Sequence, residues 1–320
     1  MRFCPWPGWA LRAGAGIMAA RPLRSSPVSA HTSRASVLLA VGMLLISMSS
    51  YQFGAALAKQ LFPAIGAQGA TACRLGLGAL ILLLVRRPWR TWQRGRDLRA
   101  LWGYGLSIGV MNLVFYMSLR TIPLGIAVAL EFTGPLALAL FGSRRLQDFI
   151  WIALVVAGLL LLLPLRAQAH ALDPVGVLYA LAAGVGWACY IVLGQRAGSA
   201  HGGDAVTWGT SIAALVAIPV GVVHAGSALF NPALLPFALG VAVLSSALPY
   251  SLEMVALTRL PTRSFGTLLS LEPAIAALAG VALLGEHLSL LQWLAIAAII
   301  VAAAGTALSV RKPVAEPLVN

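Results

Sequence analysis

The chain has 320 residues, of which 60% are hydrophobic and 10% are charged, and its formal net charge is +13 at pH 7. Soluble domains carry about 25% charged residues, so this composition excludes a soluble enzyme. The high hydrophobicity also excludes an intrinsically disordered chain. Long, unbroken apolar runs are typical of membrane-spanning helices and differ from the alternating strands of a membrane β-barrel.

Charge-poor segments predict an all-α integral membrane protein with ten transmembrane helices joined by short loops rich in Gly, Pro and Arg. The segments are residues 36–58, 69–85, 100–119, 122–142, 149–165, 174–194, 205–224, 236–257, 263–284 and 289–310. Because each helix uses about 20 residues, no room remains for a sizeable soluble domain.

Residues 1–35 contain five arginines and no acidic residue. Arg and Gly interrupt the stretch Trp9–Ala20, so it lacks the apolar core of a signal peptide. We expect a basic N-terminal tail, which is either disordered in the cytoplasm or the product of a start codon set too far upstream. Residues 313–320 are expected to form a cytoplasmic tail.

The basic residues indicate the orientation of the helices. With both termini in the cytoplasm, 18 of the 22 basic residues fall on the cytoplasmic side and only Lys59, Arg120 and Arg166 on the other, while Arg74 falls within the second helix. The opposite orientation would violate the positive-inside rule. The net charge therefore indicates orientation, and we expect no nucleic-acid partner.

The cysteines and histidines indicate neither a disulfide framework nor a metal site. Cys4, Cys73 and Cys189 form no CxxC pair, and the five histidines are scattered. We therefore expect no cofactor.

The two halves of the chain share a proline pattern. Pro123 and Pro135 are twelve residues apart, and so are Pro261 and Pro273, at a shift of 138. Each half then holds five helices, so the second enters the membrane from the opposite side. Inverted repeats of this kind are typical of secondary transporters with a midplane substrate site and alternating access. The repeats are predicted at residues 36–165 and 174–312.

Two stretches carry a family resemblance: PLGIAVALEFTGP at 123–135 and SALPYSLEMVALTRLPTR at 246–263. With the motifs SLEP at 270–273 and Gly285-Glu286, they resemble the EamA-type branch of the drug/metabolite transporter superfamily. Within it, the likeness is to the bacterial inner-membrane subgroup that exports threonine and homoserine. The resemblance covers about residues 36–312, and it implies export of small amino acids driven by the proton gradient.

Four charged residues lie inside predicted spans, where each costs about 2.5–3.5 kcal/mol at mid-helix. They are Arg74, Glu131, Glu253 and Glu272. We expect Arg74 toward the outer end of its span and Glu253 near the inner end of its own, where a side chain can snorkel to water. Glu131 and Glu272 lie near mid-helix, which makes them the first candidates for substrate binding or proton coupling.

Each mid-helix glutamate is followed by a proline, Pro135 or Pro273, and both prolines are predicted helix hinges. A proline frees a backbone carbonyl and allows a bend. A carboxylate beside freed carbonyls suits an ammonium group or a proton, and removal from water favours the protonated form. The alternative is a neutral carboxyl that bonds between helices and serves the fold alone.

The other two charges have structural alternatives as well. Glu253 can contact Arg259 or Arg263. Arg74 can bind a substrate carboxylate through two bonds or tie two helices by pairing with a glutamate.

Neutral polar side chains in the first, third and eighth predicted spans are expected to line a wet cavity. They are Tyr51, Gln52, Asn112, Tyr116, Ser246 and Tyr250. Hydroxyls and amides suit a zwitterionic, hydroxylated substrate. The alternative is interhelical hydrogen bonding, worth under about 1 kcal/mol per pair.

The expected partners are an amino-acid substrate, protons and membrane lipid, with a homo-oligomer left open. An EamA-type exporter of a different metabolite or drug is the main alternative. The small multidrug members of the superfamily use a glutamate in the first span, and the first predicted span here has no acidic residue. A phosphate-bearing cargo would need several intramembrane cations, and Arg74 is the one basic residue placed within a predicted span away from its ends. An intramembrane enzyme needs paired catalytic side chains within spans, and no histidine lies near mid-span. A scaffold or receptor would leave the glutamates unexplained.

Overall fold

The computed structural model describes residues 34–91, 98–142, 146–162, 173–260, 265, 268–285, 287 and 289–309. Every regular element within these residues is helical. Most of the predicted N-terminal tail, all of residues 313–320, and Pro261 and Arg263 lie outside them.

The helices follow one another through short connections. They are α1 (Arg34–Lys59), α2 (Phe62–Arg86), α3 (Leu98–Ser118), α4 (Leu124–Glu131), α5 (Thr133–Gly142), α6 (Leu146–Leu162), α7 (Pro174–His201), α8 (Asp204–Ala225), α9 (Leu235–Ala242), α10 (Leu248–Arg259), α11 (Glu272–Leu284) and α12 (Leu290–Ser309). The turn at Val243–Ala247 is π-helical, and the one at Leu269–Leu271 is a 3₁₀ turn.

Six helical stretches within the described ranges are long and apolar enough to cross a membrane. They are Leu38–Lys59, Phe62–Arg86, Leu98–Ser118, Pro174–His201, Asp204–Phe230 and Pro232–Arg259. Shorter apolar helices cover Leu124–Leu138, Phe149–Gly158, Leu269–Leu284 and Trp293–Ala302. Helix therefore occupies part of every predicted span, while the count of ten crossings stays a prediction.

The start of α2 differs from the prediction. The helix begins at Phe62, with Pro63 in its first turn, and is interrupted at Gly66, whose φ of 69° lies in the left-handed region. Glycine adopts this conformation without the steric penalty of a Cβ atom. A span predicted from residue 69 misses this first turn, so Arg74 lies farther from the helix end than expected.

The two predicted hinge prolines follow breaks in regular helix. α4 and α5 are separated at Phe132, and Pro135 is the third residue of α5. Because proline has no N–H, the carbonyl of Glu131, four residues earlier, lacks its usual helical partner. Pro273 is the second residue of α11, directly after the 3₁₀ turn.

The start of α7 is fixed by Asp173, which lies outside the membrane-spanning segments. Its carboxylate accepts hydrogen bonds from the backbone N–H groups of Val175 and Gly176, each at 3.2 Å. A bond with the Thr121 hydroxyl, together with these two, holds the pKa of Asp173 below its usual range. Asp173 is thus an N-cap that satisfies backbone donors at the start of the helix.

The π-helical turn is held by serines of α1. Ser50 Oγ donates to the Leu244 carbonyl at 2.6 Å, and Ser47 Oγ donates to the Pro249 carbonyl at 2.8 Å. π-Helical turns occur often at functional sites. α1 therefore supplies hydrogen bonds where the backbone between α9 and α10 departs from the α-helix.

The helices pack in pairs across the bundle. α2 packs on α8, α4 on α11 and α6 on α12, while α3 packs on both α7 and α8. Correspondingly, α1 packs on α10 and on the π-helical turn, and α2 packs on α9. The middle of the bundle therefore lies between α1, α2, α3 and α10.

Replacing Gly54 by alanine is expected to lower the free energy of unfolding by about 1–3 kcal/mol, the range for overpacking a tight contact. The added Cβ would lie 2.8 Å from the Ser245 backbone nitrogen, which cannot move aside as a flexible side chain can. Thermal unfolding in detergent measures the change.

Gly42→Ala is the matched control, because Gly42 lies on the same helix with nothing within 4 Å of an added Cβ. It is expected to leave the midpoint unchanged or raise it, since a helical glycine costs about 1 kcal/mol relative to alanine. Equal destabilisation by both variants would contradict the close approach of α1 to the π-helical turn.

Candidate functional site

Arg74 lies near the middle of α2 and is completely buried. Its guanidinium donates only to neutral oxygens. Nη1 bonds to Tyr116 Oη at 3.1 Å, and Nη2 bonds to Tyr250 Oη at 3.2 Å, Tyr51 Oη at 3.4 Å and Asn112 Oδ1. These partners come from α1, α3 and α10, so one arginine joins four helices.

The same tyrosines place aromatic rings around the guanidinium. Its central carbon lies 5.1 Å from the ring centroid of Tyr51 and 4.9 Å from that of Tyr116. A cation over a ring in a desolvated site gains about 2 kcal/mol. We call Arg74 with Tyr51, Asn112, Tyr116 and Tyr250 the Arg74 cage.

Hydrogen bonds between its members close the cage. Asn112 Nδ2 donates to Tyr250 Oη and to the Ile108 carbonyl, each at 2.7 Å, and Tyr51 Oη donates to Asn112 Oδ1 at 3.1 Å. Arg74 Nε is buried and has no partner among the described residues. The cage therefore holds at least one unused N–H donor.

Three buried carboxyl groups lie in the same interior region. The exposed fractions of Glu131, Glu253 and Glu272 are 4%, 9% and 6%. Glu131 interacts electrostatically with Arg74. Glu272 accepts a hydrogen bond from Gln52 Nε2 at 2.9 Å and interacts electrostatically with both other glutamates.

Two buried tyrosines that the sequence analysis missed extend the cage toward Glu253. The rings of Tyr104 and Tyr190 stack with centroids 5.2 Å apart, and the Tyr190 ring lies 6.2 Å from that of Tyr250. Glu253 interacts electrostatically with both. Neither hydroxyl has a hydrogen-bond partner by distance and angle among the described residues.

The spacing along α3 contained a signal for one of these tyrosines. Tyr104, Asn112 and Tyr116 are separated by multiples of four residues, so they lie on one face of the helix. No comparable spacing singles out Tyr190.

The structure changes the placement of two charged residues. The prediction that Arg74 lies toward a span end and partly snorkels is wrong, because α2 begins earlier than expected and buries the side chain at mid-helix. Arg259, a suggested partner of Glu253, is exposed at the end of α10. Arg263 lies outside the described residues.

The remaining predicted site residues also lie in the interior. Gln52 is completely buried, and so is Ser246 in the π-helical turn. Ser246 Oγ has no partner in the part of the chain that is described. Pro135 and Pro273 are both buried. The six side chains expected to line a wet cavity therefore lie in the protein interior, and four of them belong to the cage: Tyr51, Asn112, Tyr116 and Tyr250.

The charges of this interior cluster do not balance. Three carboxyl groups accompany one guanidinium, whose hydrogen bonds go to phenol and amide oxygens. An uncompensated buried ion costs several kcal/mol. The glutamates therefore require cations, which are protons or a ligand that carries positive charge and N–H donors.

Pockets open at both ends of the bundle. One, of about 380 Å³, is lined by Phe62, Gly66, Gln68, Arg120 and His224 among others. The other, of about 250 Å³, has Arg86, Gly203, Ser251, Met254 and Thr258 in its lining. Neither lining includes a cage residue, so the cage is closed from both ends in this structure.

Known proteins resemble the chain over most of its length. The profile of the EamA-like transporter family matches residues 174–308. The chain is 56% identical over 281 residues to the threonine/homoserine exporter RhtA of Salmonella typhimurium, which covers 88% of this chain and 95% of that relative. The chain belongs to the EamA-like transporter family.

A second relative agrees with this assignment, and a solved structure has the same fold. The threonine/homoserine exporter RhtA of Escherichia coli K12 is 55% identical over 276 residues, 86% of this chain and 94% of that protein. A solved crystal structure with 20% sequence identity has the same fold, with a TM-score of 0.62 over 86% of this chain and 98% of the other. The prediction of a multi-pass membrane transporter rather than an enzyme is confirmed by these relatives.

Arg74→Lys is expected to lower the free energy of unfolding by about 1–3 kcal/mol, the cost of leaving a buried polar group unsatisfied. A lysine carries the charge on one nitrogen and cannot bond to both sides of the cage as a guanidinium does. Thermal unfolding in detergent measures the effect.

Arg86→Lys on the same helix is the control, since Arg86 is exposed and donates one bond to the Gly203 carbonyl at 3.2 Å. Its effect is expected to stay within about 0.5 kcal/mol. If Arg74→Lys were as mild as this control, the cage would not be a structural centre.

Proposed function

We propose that the protein exports small amino acids of the threonine and homoserine type across the bacterial inner membrane. The observation that carries the proposal is the 55–56% identity, over at least 86% of the chain, to relatives that bear the name threonine/homoserine exporter. The interior cluster agrees with it, because it combines a buried guanidinium with buried carboxyl groups, the two chemistries that a zwitterion needs.

The proposed architecture is ten spans in two inverted repeats, residues 36–165 and 174–312, with both termini in the cytoplasm. The helix packing supports the repeats. When each helix is replaced by its equivalent in the other half, these packing contacts become contacts that the structure also contains. α3 on α7 corresponds to α10 on α1, and α3 on α8 corresponds to α9 on α2. Three contacts join equivalent helices of the two halves and are therefore unchanged by the exchange: α2 with α8, α4 with α11, and α6 with α12.

One hydrogen bond supports a pseudo-twofold axis through the cage. Asn112 and Tyr250 are 138 residues apart, the shift that superimposes the two halves, and they bond to each other at 2.7 Å. Equivalent positions of two repeats meet only near the axis that relates them. The substrate site is therefore proposed at the cage, between the halves, as in other transporters built from inverted repeats.

Alternating access follows from this placement. The cage is closed, while a pocket lies at either end of the bundle. Rocking of one half against the other would connect the cage to one pocket at a time. The breaks before Pro135 and Pro273 are the proposed hinges, because regular helix is interrupted there.

Proton antiport is proposed to use the buried carboxyl groups. Among the described residues, Glu131, Glu253 and Glu272 outnumber the one buried guanidinium, so the site is stable only when protons or substrate supply positive charge. A site that holds either protons or a cationic group exchanges one for the other. Glu131 is the first candidate for the proton, because it is the least exposed of the three carboxyl groups, at 4%, and lies at the helix break before Pro135.

The same surplus of carboxyl groups also suits a cationic drug, which is the alternative cargo.

The test uses everted membrane vesicles that contain the protein, acidified inside. Uptake of labelled homoserine and threonine is measured beside uptake of a cationic dye. Amino-acid uptake is expected to stop when the pH gradient is collapsed, because proton exit drives substrate entry.

Vesicles without the protein are the control for leakage. Proton-dependent uptake of the dye without either amino acid would contradict amino-acid export in favour of the alternative cargo. Amino-acid uptake that is insensitive to the pH gradient would contradict antiport alone.

A further inference from the structure

The side chains of Gln52 and Glu272 form a buried pair that joins α1 to α11. Gln52 Nε2 donates to Glu272 Oε1 at 2.9 Å, and the Gln52 side chain is fully buried. Gln52 Oε1 is then left buried without a partner among the described residues. An orphaned acceptor of this kind is rare in the interior of a protein and calls for an explanation.

The pair itself has further acceptor capacity. A carboxylate offers about four lone-pair sites, and the bond from Gln52 uses one of those on Glu272. Glu272 and the unpartnered Gln52 Oε1 therefore present oxygens to which an N–H donor can bond. Ser270, two residues before Glu272 in the chain, is 1% exposed, and its hydroxyl also has no partner within the described ranges.

The charges around Glu272 favour a positively charged donor. Its charged neighbours are Glu253 and Glu131, which both carry the same sign as Glu272 when ionised. Arg74 instead interacts with Glu131. An ammonium group supplies one positive charge and three N–H donors, which suits a carboxylate whose bonded neighbour, Gln52, has an unpartnered oxygen.

Glu131 connects the pair to the Arg74 cage. It interacts electrostatically with Arg74 on one side and with Glu272 on the other, and Gln52 directly follows the cage residue Tyr51 in α1. Arg74 Nε is an unused donor in the cage, and a hydrogen bond from a guanidinium N–H to a carboxylate is charge-assisted and therefore strong. An α-amino acid carries its ammonium and carboxylate on one carbon, so its two binding groups must be adjacent.

We propose that Gln52 and Glu272 bind the α-ammonium group of the exported amino acid and that Arg74 binds its carboxylate. The assignment rests on the proposed function and adds the residue that recognises each end of the substrate. Side chains from both halves of the chain then hold the substrate: Gln52 and Arg74 from the first, and Glu272 from the second.

The test measures exchange of labelled homoserine in proteoliposomes at equal pH on both sides, so that no proton gradient is needed. Two competitors each lack one charged end. 2,4-Dihydroxybutanoate has a hydroxyl in place of the ammonium, and 2-aminobutane-1,4-diol has a hydroxymethyl group in place of the carboxylate. The readout is the ratio of each competitor's inhibition constant to that of homoserine.

In Glu272→Gln, which keeps a hydrogen-bonding side chain of the same size, the ratio for 2,4-dihydroxybutanoate is expected to fall at least about tenfold, or about 1.4 kcal/mol. The ratio for the diol is expected to stay at the wild-type value. Gln52→Leu is expected to lower the first ratio in the same direction. Glu253→Gln removes another buried carboxyl of the cluster. Both ratios of inhibition constants are expected to stay at the wild-type value in this variant, even if its rate of homoserine exchange changes.

An unchanged ratio in Glu272→Gln, with homoserine exchange retained, would overturn the assignment. An equal fall in Glu253→Gln would also overturn it, and so would loss of exchange in Glu272→Gln together with an unchanged ratio in Gln52→Leu. If the wild-type protein exchanges no homoserine, the proposed function fails, and the assignment fails with it. Homoserine exchange with unaltered selectivity refutes the assignment alone.

Discussion

A charge in the interior of a membrane protein is stable only where the protein replaces the water it has lost. The constraint is met at Arg74 by three phenol oxygens, an amide oxygen and two aromatic faces. These groups come from three helices that pack around α2. The guanidinium thus sets where α1, α3 and α10 meet, and the same contacts place the polar site at the centre of the bundle.

Because uncharged groups accept the hydrogen bonds of Arg74, its positive charge is not used up in an ion pair with a glutamate. The buried carboxyl groups of the described residues therefore outnumber the buried positive charge, and this imbalance is the structural basis of the proposed transport. A static ion pair between Arg74 and a glutamate would satisfy both charges and leave nothing to exchange. Because the hydrogen bonds of Arg74 go to uncharged groups, Glu131, Glu253 and Glu272 need other positive charges. Protons and a substrate ammonium group are the two positive charges that the proposed antiport would exchange.

The sequence predicted the helical class and the four interior charges, since each charge interrupts a long apolar run. It placed Arg74 wrongly because the break at Gly66 hides the first turn of α2. The partners of Arg74 could not be derived, since Tyr250 is 176 residues away and only packing brings it close. Four of the six predicted lining residues form the cage with Arg74, because buried polar side chains gather where they can bond to one another.

The most direct test of this account follows protons and homoserine together in one preparation. Proteoliposomes are loaded with homoserine and a pH-sensitive dye and diluted into homoserine-free buffer. Efflux through the wild-type protein is expected to acidify the lumen, because protons enter as the substrate leaves. In Glu131→Gln, homoserine exchange at equal pH is expected to persist while acidification is lost. Efflux of homoserine by the wild-type protein with no movement of protons would contradict the central claim that the buried carboxyl groups exchange substrate for protons.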